Sequence, residues 1–348
     1  MVHKFPAIKG ALLAIAAAIL FGASTPLVQL AGLGVNAWMT AALLYAGAAI
    51  AGFFLRSHTT VEAPLQKRHW PRLLLMALFG AVLGPAALAW GLQHTGAMGA
   101  SLMLTLEAVF TVLLAIVLYR EKIGRRVALA LAIMTAGAAL LVIDQSETGR
   151  SQTIGLLAVM AATLAWGIDN SLSRGLAELD PGQVILGKAA LGAGSSFLIA
   201  LMLGSTSISV NRSLALVAIG AIGYGLSLRF YLLAQRSFGA SRTGSLFAAA
   251  PFIGAVIAFG LGERHISMYL IGASILMLIG VALHLTEEHE HLHHHDALEH
   301  EHAHRHDDSH HTHTHAEMPL GAHSHKHQHT AIEHRHPHVP DVHHDHSH

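Results

Sequence analysis

Cysteine is absent from the 348-residue chain. That excludes disulfides, zinc–thiolate sites and thiol catalysis, and leaves the redox compartment unreadable. Charge is scarce too: Asp, Glu, Lys and Arg make up 12% of the residues, against about 25% in soluble domains. With 53% hydrophobic residues and a mean hydropathy of +0.49, an ordinary cytosolic enzyme is excluded. Aromatic residues are few, at 6%. The hydrophobicity therefore comes from Ala, Leu, Ile and Gly, the small and aliphatic set that lets membrane helices approach closely.

The net charge of zero conceals two opposite regions. Residues 1–285 hold 18 Lys/Arg and 9 Asp/Glu, whereas residues 286–348 hold 3 and 12. Of the 30 histidines, 24 lie between His289 and His348. The chain reads as a hydrophobic body with an acidic, His-rich tail.

A helix needs about 20 apolar residues to cross roughly 30 Å of hydrocarbon. Ten stretches meet that measure, at about residues 10–31, 35–55, 72–92, 97–119, 125–144, 154–173, 182–203, 214–234, 242–261 and 266–285. The first follows Lys4 and Lys9 as a signal peptide would. Nine similar stretches come after it and no clear cleavage site interrupts it, so it reads as a retained helix. With the N-terminus in the cytoplasm, the inner connections carry thirteen basic residues, among them Arg56, Lys67, Arg68, Arg120, Lys122 and Arg174. The outer ones carry only Arg150, Arg212 and Arg264. This bias predicts cytoplasmic N- and C-termini in a bacterial inner membrane.

The body also repeats itself. Leu20-Phe21-Gly22 in the first stretch matches Ala165-Trp166-Gly167 in the sixth. Leu106-Glu107-Ala108-Val109-Phe110 leads to Glu121-Lys122, as Ala249-Ala250-Pro251-Phe252 leads to Glu263-Arg264. Five spans separate the copies, so the halves enter the membrane in opposite senses, the inverted-repeat plan of many secondary transporters. Together with Phe21-Gly22-Ala23-Ser24 and Trp166-Gly167, these segments resemble the EamA-type, ten-span branch of the drug/metabolite transporter superfamily. The resemblance covers about residues 8–285, with one departure: the proline usual in the fourth span is Ala108 here, while Pro251 is kept. It implies an all-α polytopic membrane protein with repeats at 1–149 and 150–285, followed by a disordered tail at 286–348. It also implies solute efflux by alternating access through a central cavity, driven by an ion gradient or exchange. No Gly-rich phosphate loop ending in Lys-Ser or Lys-Thr occurs, so ATP coupling would need another subunit.

Ionisable groups within spans are costly and face a partner or a wet cavity. Four stand out: Glu107, Asp169, Lys188 and Arg229. Two readings stand: the acids and bases pair off, or some line the solute path, with Glu107 a candidate proton carrier and Arg229 a candidate carboxylate or phosphate holder. Lys188, near the start of its span, can also snorkel to the interface. Asn170 beside Asp169, Tyr231 beside Arg229, and Trp166 complete the expected cavity. Ser24, Thr25 and Pro26 either break the first span and bare its carbonyls or sit in an intact helix. Trp90 and Gln93 read as an interface end. Glu121 and Glu263 read as helix-end ion pairs.

The tail has almost no apolar content and is expected to be disordered without a ligand. Its candidate metal ligands are His293, His294, His295, His302, His304, His306, His311, His313, His315, His323, His325 and His327. Neutral imidazole suits Ni, Co, Zn and Cu, and the interleaved carboxylates add hard ligands. The sharpest functional expectation is therefore export of a divalent transition-metal cation (Ni, Co or Zn) gathered by the tail. The alternative is export of an amino acid or other small organic metabolite, with a regulatory tail. A non-transporting metal sensor is disfavoured, because ten spans exceed what anchoring requires. His3, His58, His69, His94 and His265 are scattered through the body and form no enzyme constellation. No cofactor is required beyond metal on the tail. The expected partners are the solute or metal ion and the lipid bilayer, without nucleic acid, for a monomer or homodimer.

Overall fold

The computed structural model describes residues 4–55, 65–119, 123–173, 176, 179–204, 208–238 and 240–285 of the body. In the tail it describes residues 290–295, 299–304, 323–328 and 332–337. Ten helices among them are long and apolar enough to cross a membrane. They are span 1 (Ile8–Gly32), span 2 (Ala37–Leu55), span 3 (Lys67–Leu92), span 4 (Ala97–Leu118) and span 5 (Arg125–Gln145), then span 6 (Arg150–Ser173), span 7 (Gly182–Met202), span 8 (Val210–Gln235), span 9 (Arg242–Gly260) and span 10 (Met268–Leu285). The protein is an all-α polytopic membrane protein. Every span overlaps its hydropathy stretch, and span 3 differs most, starting at Lys67 rather than at 72. There a short 3-10 turn (Lys67–His69) feeds a helix with Pro71 in its first turn, where a missing N–H costs nothing. Before span 7 the Asp180 carboxylate accepts from Gly182 N at 2.8 Å and Gln183 N at 3.4 Å, a side-chain N-cap.

Four spans are irregular, and they occupy corresponding places in the two halves. Spans 3 and 8 each contain a π-helical segment, at Leu78–Leu83 and Gly220–Leu226. Such bulges recur at functional positions in helices. Spans 4 and 9 are each interrupted by a turn, between Ala97–Met103 and Leu106–Tyr119 and between Ala240–Phe247 and Ala250–Gly260. Span 4 breaks without the missing proline. Thr105 Oγ1 donates to Leu102 O at 2.9 Å, and Glu107 N to Leu104 O at 3.1 Å, a tight turn in place of the α-helical ladder. Ala108 therefore does not abolish the interruption.

The halves interlock. Span 1 packs on spans 8 and 9, span 6 on spans 3 and 4, while spans 2 and 7 and spans 5 and 10 pair with each other. The Phe-Gly and Trp-Gly match has a physical basis in this exchange. A Cβ on Gly22 would overlap the Ala250 carbonyl just after the break in span 9. A Cβ on Gly167 would come within 3.0 Å of Phe110 Cβ and 3.2 Å of Thr111 N in span 4. Each glycine thus lets one repeat lie against the broken span of the other. Span 1 is not broken at Ser24-Thr25-Pro26: one helix runs Lys4–Gly32 with Pro26 inside it, and Ser24 Oγ returns to Phe21 O at 2.6 Å.

In the tail, β1 (Glu290–His295) pairs antiparallel with β4 (Ile332–Pro337), and β2 (Glu299–His304) with β3 (His323–Gln328). Their sequences offer little apolar matter beyond Leu292, Ala303 and Ile332. Two-stranded pairs of that composition are marginal in water. The side chains of the candidate tail ligands lie outside the described residues.

Because Gly22 sits against backbone, Gly22→Leu is expected to destabilise the body by about 1–3 kcal/mol, as overpacked cores do. Thermal denaturation in detergent checks this. Wild-type stability would mean that spans 1 and 9 do not touch at Gly22.

Candidate solute site

Three of the four membrane-embedded charges, Glu107, Asp169 and Lys188, gather where spans 3, 4, 6 and 7 meet. Lys188 Nζ on span 7 donates to Asp169 Oδ2 on span 6 in an ion pair. Asp169 is 4% exposed, and its other oxygen, Oδ1, is buried without a hydrogen-bond partner among the described residues. An unmatched carboxylate oxygen carries a desolvation cost, so the pair is neutral as a unit yet still has room for one donor. Gly80, in the π-helical segment of span 3, lies directly against this pair: a Cβ there would overlap the Asp169 carboxylate. The Gly80 carbonyl accepts from the Tyr45 hydroxyl and from Trp166 Nε1, the latter at 3.0 Å. Bulge, ion pair and the two aromatic donors form one connected unit.

Glu107 stands in the first turn after the break of span 4, and its Oε1 accepts from Asn170 Nδ2 at 2.7 Å. Glu107 is half-buried and Asn170 is exposed. A primary amide on a spanning helix is tolerated where it meets water or protein rather than hydrocarbon. Asn170 is the exposed edge of the cluster.

A second wall is aromatic. Tyr45 and Tyr224 lie with ring centroids 5.8 Å apart, as do Phe21 and Tyr224. Phe247 joins Phe21 at 5.4 Å and Tyr231 at 4.9 Å. These rings come from spans 1, 2, 8 and 9, and Tyr45 links them to Gly80 and so to the ion pair.

Of the residues singled out from sequence, the structure brings together Glu107, Asp169, Asn170, Lys188 and Trp166, with Tyr231 in the aromatic wall. Of the two acid–base pairs that the four charges allow, Lys188 and Asp169 form one. Arg229 does not meet Glu107; it donates to Leu55 O, the last residue of span 2, where a cation suits a helix C-terminus. Ser24 and Thr25 are both buried at 2% exposure. Among the described residues Glu263 forms no ion pair with a lysine or arginine. Its carboxylate accepts from Met98 N at 3.0 Å and so holds the N-terminal turn of span 4, while Arg264 lies over the Phe259 ring at 4.2 Å. Burial raises the Glu263 carboxyl above its ordinary range, against the opposing effect of the Met98 and Ala97 amides. Glu121 lies outside the described residues. Trp90 stacks on His94 at 4.0 Å, and Gln93 Nε2 donates to Val35 O at 2.7 Å, an arrangement at the end of span 3 rather than in the site. Tyr45, Tyr224, Phe21, Phe247 and Gly80 are additions. A signal existed for the first two, since the chain has only five tyrosines and both stand within aliphatic spans.

Among the described residues, no group of three or more His, Cys, Asp or Glu side chains is placed to hold a metal ion. The arrangement offers instead a carboxylate–ammonium pair with one unfilled acceptor, a carboxylate–amide pair at an exposed edge, and an aromatic wall.

Two inverted five-helix halves around such a site define a membrane transporter, and comparison with known proteins agrees. The model of the EamA-like transporter family matches residues 8–143 and again 153–286, and the chain belongs to that family. An uncharacterized transporter of Methanothermobacter thermautotrophicus is 31% identical over 225 residues, spanning 63% of this chain and 66% of its own length. A probable terminal-alkyne amino-acid exporter of Streptantibioticus cattleyicolor is 28% identical over 228 residues, 62% of this chain and 73% of its own. A solved crystal structure with 20% identity superposes with a TM-score of 0.58 over 80% of this chain and 97% of its own, a likeness of fold.

Lys188→Met strands the buried Asp169 charge and is expected to cost about 3–5 kcal/mol of stability. Combining it with Asp169→Asn should restore most of that loss. A double-mutant cycle read by unfolding in detergent checks the coupling, and additive losses would mean that the two residues do not pair.

Proposed function

We propose that the protein exports a zwitterionic organic solute, an amino acid with an apolar side chain, by alternating access across the cytoplasmic membrane, with both termini in the cytoplasm. The observation that carries this reading is the adjacency of the Asp169–Lys188 pair to the aromatic wall through Tyr45. The solute's carboxylate meets Lys188, its ammonium meets Asp169 Oδ1 and Glu107, and its side chain lies on Phe21, Tyr224 and Phe247. The likeness to the probable terminal-alkyne amino-acid exporter of Streptantibioticus supports the same cargo class. The His-rich tail serves as a metal-responsive cytoplasmic segment.

Export of Ni, Co or Zn is the second reading. It is favoured by the neutralisation of Lys188, which removes a bare positive charge from the path, and by the density of imidazole in the tail. Against it, no group of three or more His, Cys, Asp or Glu side chains among the described residues could hold a metal ion, and the Asp169 carboxylate is already paired with the Lys188 ammonium.

Proteoliposomes loaded with unlabelled phenylalanine or leucine and given labelled amino acid outside distinguish the readings by exchange. Wild-type protein is expected to exchange amino acid. Asn170→Ala, which frees Glu107, is expected to slow exchange by about tenfold, the worth of one hydrogen bond to a charged group. Truncation after Leu285 is expected to leave exchange intact. Movement of nickel or cobalt with no exchange of any amino acid would overturn the proposal.

A further inference from the structure

At the end of the bundle opposite the chain's N-terminus lies a cavity of about 400 Å³, away from the Asp169–Lys188 pair. Gln29 of span 1, Gly99 of span 4, Asp144 at the end of span 5, Gln152 of span 6, and Glu263 and His265 after span 9 line it. Its volume is in the range of small-molecule sites, and every polar side chain in it except His265 is an amide or a carboxylate.

Asp144 is the unusual member. It is 3% exposed, yet its hydrogen bonding among the described residues amounts to one contact, from Gln145 Nε2 to Oδ2 at 3.3 Å. No Lys or Arg pairs with it among the described residues. Gln145 is itself engaged, since its Oε1 accepts from Thr95 Oγ1 at 3.1 Å. Glu263 is committed to the amide of Met98, and the neighbouring Arg264 is turned onto Phe259. A nearly buried carboxylate with one long hydrogen bond, facing a cavity, is costly unless a donor completes it. The wall provides acceptors, amide donors and the His265 imidazole, which lies by Glu263, and among the described residues it offers Asp144 no lysine or arginine.

We propose that this cavity is a second solute site, which takes the ammonium end of a small amine or amino acid against Asp144 at the far mouth of the transport path. The assignment of that ammonium to the transported solute rests on the amino-acid reading above; the binding of an amine does not. Gln29, whose Nε2 donates to Leu92 O at 2.9 Å and Thr95 O at 2.8 Å, lines the same cavity. Gly99 keeps the space open: a Cβ there would meet nothing nearer than Gln145 Nε2 at 4.0 Å.

The cysteine-free sequence makes a local test straightforward. Gln152→Cys places a single thiol on the cavity wall of the full-length protein, and the rate of its modification by a water-soluble maleimide reports occupancy. Propylammonium is expected to protect Cys-substituted protein while propionate does not. Adding Asp144→Asn is expected to raise the half-protecting amine concentration by at least about tenfold, the worth of one charged hydrogen bond. Equal protection by propionate, absence of protection by propylammonium, or unchanged protection with Asp144→Asn would each overturn the site. The amine-versus-propionate comparison needs no substitution at Asp144, so it stands even if that variant fails to fold. Failure of amino-acid exchange with protection intact would overturn the cargo and leave this site. Exchange without protection would do the reverse.

Discussion

The pairing of Lys188 with Asp169 is the constraint around which the rest of the body is arranged. A lone carboxylate or ammonium in a bilayer costs several kcal/mol, so each demands its partner. Bringing spans 6 and 7 close enough for the pair requires span 3 to yield, and it does so twice. Gly80 removes the side chain that would overlap the carboxylate, and the π-helical segment presents the Gly80 carbonyl to Tyr45 and Trp166. Those two donors fix the aromatic side of the site. The ion pair, the bulge and the aromatic wall are consequently one structure, and loosening one of them disturbs the other two.

The inverted repeat explains why irregular helices fall where they do. Breaks in spans 4 and 9 and π-helical segments in spans 3 and 8 occur in pairs because the same five-helix unit is used twice. Each broken span is embraced by the first helix of the other repeat, at Gly22 and at Gly167. Regular helices resist bending, whereas interrupted ones have fewer hydrogen bonds to lose. The site draws residues from all four irregular spans: Gly80 of span 3, Glu107 of span 4, Tyr224 of span 8 and Phe247 of span 9.

Much of this architecture was legible in the sequence because it depends on composition over about 20 residues. The ten spans, the doubling and the separate tail follow from hydropathy, five-span spacing and charge, and none depends on a single side chain. The four intramembrane charges were equally visible, because such residues are rare in this body. Which charges would meet was not: Asp169 chooses Lys188 and Arg229 turns to the end of span 2 through packing between distant spans, which no local pattern encodes. The bulge at Gly80 was hidden for the same reason, since glycine within a span reads only as close packing. The unbroken helix through Pro26 runs against the usual effect of proline, and the break beside Ala108 needs no proline at all. In both places tertiary packing overrides the local rule.

The central claim is that the Glu107–Asn170 edge of the site faces water inside the membrane rather than lipid. The direct measurement is to introduce Asn170→Cys into the otherwise cysteine-free chain and compare its modification by a charged, membrane-impermeant thiol reagent with that by a lipophilic one. Modification by the charged reagent, slowed by bound amino acid, is the result this account predicts. Reaction with the lipophilic reagent alone would put Asn170 in hydrocarbon and contradict it.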